Sequence, residues 1–362
     1  MTTTTTTAFQ THAVLLRLFL LLHVLMLIQV AEVGGGKVPA IIVFGDSSVD
    51  AGNNNQISTV LKSNFEPYGR DFMGRKPTGR FSNGRIPPDF ISEAFGLKPI
   101  VPAYLDPSYS IADFATGVCF ASAGTGYDNV TSDVMRVIPL WKELEYYKDY
   151  QTKLRQYLGD QKANQILSDA LYVMSLGTND FLENYYALPT RRNQFTVGQF
   201  GDFLLGIAEN FIRQLYELGA MKISLAGLPP MGCLPMERAE NAMNGRACVD
   251  EYNLVAWDFN NKLNNVAAYL NLQLGGINVV ISNPYDIFVQ MIQSPSSYGY
   301  EVTGVACCGT GTVEMSYLCD KYNPFTCKDA DKYIFWDSFH PTEKTNRIVT
   351  QHLLPRLLAE FK

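Results

Sequence analysis

The stretch Ala-Ile-Ile-Val-Phe-Gly-Asp-Ser-Ser at residues 40–48 decides the fold, because an apolar, β-branched run ends abruptly in small polar residues. Such a run is typical of a strand buried on both faces of a parallel sheet. Similar apolar runs recur along the chain, at residues 118–121, 171–176, 221–226 and 277–281. We therefore predict five strands in one central, mostly parallel sheet.

Helical stretches separate these strands, at residues 139–158, 197–218, 249–274 and 342–361. The first begins at a proline and stops before Gly159, and the last begins beside the cap region Thr342-Glu343. Strands that alternate with helices predict a three-layer α/β/α sandwich, whose ligands bind at the carboxyl ends of the strands. No linker or repeat divides the chain, so we expect residues 32–362 to form a single domain.

The strand ends carry residues that suit acyl chemistry. Ser47 follows the first run and offers a hydroxyl, a turn with two glycines at residues 122–126 follows the second, and Asn179 follows the third. A glycine N–H that a ligand can approach and a side-chain amide are the donors of an oxyanion hole. We expect these turns to lie together at one edge of the sheet.

A second cluster of candidate residues lies in Trp-Asp-Ser-Phe-His-Pro at residues 336–341. A serine hydroxyl becomes a good nucleophile when an imidazole takes its proton and a carboxylate holds that imidazole. Of the four histidines, His12 and His23 lie in an apolar leader and His352 lies in the last helix. His340 is therefore the candidate base, and Asp337 is the carboxylate that would orient it.

Other common catalytic signatures are missing from the sequence. We find no Gly-x-Ser-x-Gly nucleophile elbow, no Gly-x-Gly-x-x-Gly, no phosphate-binding Gly-Lys-Ser/Thr loop and no His-Glu-x-x-His. These absences argue against an α/β-hydrolase of the elbow type and against nucleotide or zinc chemistry of these kinds. We expect no metal and no organic cofactor.

The N-terminus predicts secretion. A polar tract and Arg17 precede an apolar run, and this pattern predicts a signal peptide over residues 1–31, whose end is approximate. An uncleaved membrane anchor is the alternative. Four of the seven cysteines crowd into a loop-like segment, which favours disulfides over a zinc site in an oxidising compartment. The disulfide candidates are Cys233, Cys248, Cys307, Cys308, Cys319 and Cys327. Cys119 is predicted to be a buried free thiol.

Composition and charge limit the partners. The net charge of −6 argues against nucleic acid and against an anionic membrane surface. No stretch after the leader is long and apolar enough to span a bilayer, and we expect a monomer. Asn129 begins the one glycosylation sequon that we find.

The chain resembles the plant GDSL esterase/lipase family of SGNH hydrolases over essentially its whole mature length. Four blocks of that family occur in order, at residues 44–55, 120–126, 177–180 and 337–341. The resemblance implies the flavodoxin-like SGNH fold and a secreted serine hydrolase of lipid, cutin-type, phenolic or acetyl esters. It also implies Ser47 as nucleophile, Asp337 and His340 as its partners, and the N–H groups of Ser47 and Gly124 with the Asn179 amide as the oxyanion hole.

Two residues depart from the family pattern, and two carboxylates lack a role. The family has leucine where this chain has Ser48, and a non-cysteine polar residue is more usual at Cys119; we expect both to affect packing only. Asp46 and Asp180 either steer protonation or cap a helix. Two alternatives to hydrolysis remain open, an acyltransferase with the same triad and a non-catalytic protein that binds lipid or cell-wall polymer.

Overall fold

A central sheet of five parallel strands organises the computed structural model, which describes residues 38–362. The strands are β1 Ile41–Gly45, β2 Gly117–Cys119, β3 Leu171–Ser175, β4 Lys222–Ala226 and β5 Asn278–Ser282. Their spatial order is β2-β1-β3-β4-β5, and every neighbouring pair is parallel. The predicted parallel sheet and all five predicted strands are confirmed, with ends shifted by one or two residues.

Helices connect the strands. They are α1 Pro87–Ala94, α2 Ile111–Phe114, α3 Asn129–Met135, α4 Leu140–Leu158, α5 Asp160–Asp169, α6 Pro189–Arg192, α7 Val197–Glu217, α8 Pro235–Glu240, α9 Asp250–Gln273, α10 Tyr285–Gln293 and α11 Glu343–Phe361. A π-helical segment, Asp180–Tyr186, follows β3. The four predicted long helices correspond to α4, α7, α9 and α11.

Helices cover both faces of the sheet. One face packs Phe44, Tyr172 and Leu225 against apolar side chains of α4, α7 and α9. The other face packs Val43 and Val173 against side chains of α1 and α11. All five residues of β1 are buried for this reason, and the three-layer α/β/α sandwich is confirmed.

The described part of the chain from Val38 to Phe361 forms one unit. The predicted leader over residues 1–31 lies outside the described residues. Between residues 38 and 362, no helix has the length and apolar character needed to cross a membrane.

Candidate active site

Asp337 and His340 are in direct contact in the loop before α11. Nδ1 of His340 lies 2.8 Å from Oδ1 and 2.9 Å from Oδ2 of Asp337, and both residues are buried. Since a carboxylate only accepts, Nδ1 carries the hydrogen and Nε2 is left as the acceptor. Nε2 is buried and has no hydrogen-bond partner among the described residues. This arrangement prepares Nε2 to take a proton.

The Asp337 carboxylate is held from several sides. The backbone amides of Phe339 and His340 donate to Oδ1 at 2.9 and 2.7 Å. Tyr68 donates its hydroxyl to Oδ2 at 2.6 Å and accepts from the amide of Ser316 at 2.8 Å. Burial and the Asp337 charge raise the pKa of Tyr68 well above its ordinary value, so it stays a donor. Sequence reasoning missed Tyr68, because no local pattern links it to the loop of Asp337.

A disulfide-bonded loop wraps the same segment. The structure joins Cys307 to Cys327 and Cys308 to Cys319. The amide of Cys308 donates to the carbonyl oxygen of Trp336 at 2.8 Å, directly before Asp337. A third bond joins Cys233 to Cys248. The six predicted disulfide cysteines are therefore paired, which excludes the zinc alternative for them.

Ser47 lies in the turn that follows β1. The turn begins at Gly45, whose φ is +145° and at which a Cβ would lie 2.3 Å from the carbonyl oxygen of Ser175, so only glycine fits. The Gly45 amide donates to Oε2 of Glu143 on α4 at 2.9 Å. Burial, followed by the charges of neighbouring aspartates, raises the pKa of Glu143 well above its ordinary value. Glu143 thus fixes the start of the turn through a buried carboxyl group. Sequence reasoning missed this residue.

The residues after Ser47 hold the loop that carries Gly124. Asp50 accepts the amide of Ala123 at 3.0 Å, and Asn54 donates to the Ala123 carbonyl at 2.9 Å. Asn53 donates to the carbonyl oxygen of Ala121 at 2.8 Å. Gly124 itself has a φ of +89°, which a side chain would strain. The first block of the sequence therefore fixes the backbone of the second.

Asn179 lies at the start of the π-helical segment after β3. Its Nδ2 donates one hydrogen to the carbonyl oxygen of Thr125 at 2.9 Å, which leaves the second hydrogen of the amide for a ligand. Asn179 has helical backbone angles and makes no side-chain capping bond. The Asn179 side chain therefore does not act as a helix cap.

Two cavities meet at Ser47 and His340. A small cavity of about 20 Å³ is lined by these two residues together with Gly124 and Asn179. A large cavity of about 150 Å³ is also lined by Ser47, His340 and Phe339, and it extends away from these residues toward α11. The structure thus brings all five sequence-predicted residues together, with Asp337 directly behind His340.

The two carboxylates without an assigned role serve the backbone. Asp46 accepts the amide and the hydroxyl of Ser48 at 2.9 and 2.6 Å, in a turn that no helix follows. Asp180 accepts the amides of Tyr127 and Asp128 at 2.7 and 3.0 Å, and burial raises its pKa to about 7. Asp46 therefore caps no helix, and the Asp180 carboxylate bonds to residues 127 and 128 rather than to the π-helical segment that it begins.

The remaining sequence expectations concern single side chains. Ser48 does more than pack, since its hydroxyl is also 2.8 Å from that of Ser175. Cys119 is buried and unpaired, and burial raises the pKa of its thiol well above the ordinary value. Asn129 is exposed at the start of α3, and its glycosylation stays a prediction.

Comparisons with known proteins agree with this geometry. Residues 41–353 match the family model described as GDSL-like lipase/acylhydrolase. A GDSL esterase/lipase of Arabidopsis thaliana is 62% identical over 344 residues, which cover 95% of this chain and 98% of the relative. Two further GDSL esterases/lipases of that plant are 62% identical over 326 residues (90% and 93% covered) and 58% identical over 337 residues (93% and 96% covered).

Proposed function

Because this chain belongs to the GDSL-like lipase/acylhydrolase family and is a carboxylic ester hydrolase, we propose that it cleaves esters through an acyl-enzyme on Ser47. One observation carries this proposal. Asp337 holds Nδ1 of His340 at 2.8 Å, while the free Nε2 belongs to a residue that lines the same small cavity as Ser47. Membership of an esterase family also disfavours the non-catalytic alternative.

The first half-reaction forms the acyl-enzyme. Oγ of Ser47 attacks the ester carbonyl carbon while its proton passes to Nε2 of His340, and the carbonyl electron pair moves onto oxygen. Asp337 stabilises the imidazolium without taking the proton. When the carbonyl re-forms, the bond to the alcohol oxygen breaks, and His340 returns the proton to that oxygen.

The developing negative charge needs fixed donors. The backbone N–H groups of Ser47 and Gly124 and the second N–H of the Asn179 amide are the proposed oxyanion hole. Asp50 and Asn54 hold the backbone of Ala123, the residue before Gly124, so the Gly124 amide needs little reorganisation during the reaction.

The second half-reaction releases the acid. A water molecule gives its proton to His340 and attacks the acyl carbon, and the bond from that carbon to Oγ of Ser47 then breaks. The proton returns from His340 to Oγ, so the enzyme is regenerated and no other reactant is consumed.

The proposal includes where the enzyme acts and on what. The three disulfides between described cysteines are typical of proteins from oxidising compartments and support secretion to the extracellular space, such as the apoplast or cell wall. Lipid, cutin-type, phenolic and acetyl esters are the substrate classes considered. N-terminal sequencing of the protein secreted by a eukaryotic host, expected to start near residue 32, tests the secretion.

Covalent labelling tests the acyl-enzyme. The purified protein should hydrolyse p-nitrophenyl butyrate, and a fluorophosphonate should abolish this activity in proportion to a single adduct on Ser47. Ser47→Ala serves as the control and should take no label. An adduct on another serine, or full activity after labelling of Ser47, would overturn the proposal.

A further inference from the structure

The large cavity runs away from Ser47 between the sheet and the last helix. Its walls include Val173 and Ser224, on the sheet face opposite Phe44 and Leu225, and Val349 and Leu357 on α11. These four residues are all at least 94% buried. The cavity is therefore internal at the end farthest from the catalytic residues.

The direction of α11 shows how deep the cavity reaches. Nδ2 of Asn278, at the start of β5, donates to the carbonyl oxygen of Glu360, so α11 runs antiparallel to the strands from the active-site edge downward. Asn346 and Leu357 both line the cavity. They are separated by about 16 Å along the helix, at about 1.5 Å per residue.

Small side chains on the sheet leave this space. The cavity is lined by Ser175 on β3, Ser224 and Ala226 on β4 and Ser282 on β5, where larger residues would fill it. Ser48 lines it as well, at the position where the family pattern has leucine. The departure at Ser48 therefore leaves room beside the nucleophile.

The hydroxyls of these walls already have partners. Ser48 pairs with Ser175 and Ser224 pairs with Ser282, each at 2.8 Å, and Thr350 donates to a backbone carbonyl of its own helix at 2.7 Å. A buried water needs two to four polar partners, and these walls offer few that are free. The chemistry of the walls therefore favours a hydrocarbon occupant over ordered water.

We propose that the large cavity binds the acyl chain of the substrate, and that the enzyme prefers esters of straight medium-chain fatty acids. This inference rests on the acyl-enzyme proposed on Ser47. A cavity of about 150 Å³ is the size that holds benzene, a hydrocarbon of six carbons. Hexanoyl to octanoyl groups are therefore the expected optimum, with the carbonyl group beside Ser47 and the tail toward Leu357.

The acyl part of the ester, rather than the alcohol, suits an internal cavity. The alcohol has to leave and water has to enter between the two half-reactions, whereas the acyl group stays on Ser47 throughout. A chain buried beneath α11 would retain the acyl group through deacylation and would keep the approach to His340 open for water.

Matched substrates test the proposal on the wild-type enzyme. With p-nitrophenyl acetate, butyrate, hexanoate, octanoate and palmitate, kcat/KM should rise by up to about fourfold per methylene as far as hexanoate or octanoate and fall at palmitate. Ethyl hexanoate should be cleaved faster than its isomer hexyl acetate. A flat series, or a preference for hexyl acetate, would overturn the proposal.

A matched pair of variants on α11 locates the chain. Leu353 lines the cavity and Leu354, the next residue, does not, although both are partly buried. Leu353→Trp should lower the hexanoate-to-acetate ratio of kcat/KM at least about tenfold, because several methylenes lose their site. Leu354→Trp should leave that ratio within about twofold of the wild type. An unchanged ratio in folded Leu353→Trp would contradict the proposal.

A second variant keeps the test decisive if Leu353→Trp does not fold. Leu353→Ala enlarges the cavity and should move the optimum toward longer acyl chains; an unmoved optimum would overturn the proposal. Hydrolysis of p-nitrophenyl acetate separates this inference from the proposed function. If Ser47 cleaves acetate but acyl chain length has no effect on kcat/KM, the proposed acyl-chain site is wrong and the acyl-enzyme on Ser47 stands. If Ser47 forms no covalent adduct, the proposed acyl-enzyme is wrong.

Discussion

Tyr68 donates its hydroxyl hydrogen to Oδ2 of Asp337 across 2.6 Å, although the two residues lie 269 positions apart in the chain. The same hydroxyl accepts the amide of Ser316 from the disulfide-bonded loop. One phenol therefore fixes the carboxylate that orients His340 and joins it to the loop that wraps it.

We predict that Tyr68→Phe lowers kcat about tenfold with little change in KM, and lowers the free energy of unfolding by about 1–3 kcal/mol. The variant leaves a buried carboxylate oxygen with one donor fewer and the Ser316 amide without its acceptor. Steady-state kinetics and denaturant unfolding measure the two effects.

Tyr127→Phe is the matched control for this change. Tyr127 is also buried, but its hydroxyl has no hydrogen-bond partner among the described residues. Its removal should leave stability unchanged or slightly raised. Equal losses in Tyr68→Phe and Tyr127→Phe would show that the Asp337 contact has no special role.

We predict that activity and stability survive replacement of the Glu143 carboxyl group by an amide, but not removal of the oxygen that accepts the Gly45 amide hydrogen. Burial raises the pKa of Glu143 and so disfavours its charged form. Glu143→Gln keeps the shape of the side chain and the bond to the Gly45 amide, and it should keep kcat within about threefold. Glu143→Leu leaves that buried amide unpaired and should cost about 1–3 kcal/mol of stability and lower kcat. Thermal unfolding and kinetics compare the pair; a Gln variant as impaired as the Leu variant would mean that the negative charge matters.

Asn179 should matter for turnover more than for folding. Asn179→Ala removes one oxyanion donor and should lower kcat by about 10²–10³ while KM changes little. Asn179→Asp keeps an acceptor but loses the donor, and it should be impaired as well. Measuring kcat and Tm for both variants decides the matter, since full kcat in Asn179→Asp would place the oxyanion hole elsewhere.

Glu237 makes stability depend on pH. It is 6% exposed, and burial, with the charges of Glu240 and Glu183, raises its pKa from 4.5 to about 7. The folded state therefore holds this proton more tightly than the unfolded state, and stability is lost as pH rises through about 7. Glu237→Gln should raise the free energy of unfolding by about 1–2 kcal/mol at pH near 8 and change it little at pH near 4.

The exposed Glu217 supplies the control for this measurement. Because Glu217 is exposed and its side chain packs little, Glu217→Gln should shift Tm little at either pH. A Glu237→Gln variant that gains nothing between acid and neutral pH would contradict the account of its burial.

The sequence predicts the sheet well because parallel strands buried on both faces must be apolar throughout. The run at residues 171–176 corresponds to β3 within one residue. The run at residues 118–121 is less exact: β2 ends at Cys119, although the amide of Phe120 still donates to Val43. The short helix α1 was not predicted, because its buried Asp89 depends on an ion pair with Arg80 and on the amides of Ile86 and Val101, which only the fold brings together.

The sequence predicts those parts of the candidate site whose residues lie close together in the chain. Asp337 and His340 lie three residues apart, and their contact follows from local spacing. The supports of the site depend on contacts between distant residues. Glu143 lies 98 positions from Gly45, and Tyr68 lies 269 positions from Asp337, so only the folded structure reveals these contacts.

The most direct test of the central claim compares two adjacent serines. Ser47 lines both cavities beside His340, whereas the Ser48 hydroxyl is bonded to Asp46 and Ser175. Hydrolysis of p-nitrophenyl butyrate should fall at least about 10⁴-fold in Ser47→Ala at unchanged Tm, and stay within about tenfold of the wild type in Ser48→Ala. Near-normal turnover by folded Ser47→Ala, with contaminating esterase excluded, would contradict the account.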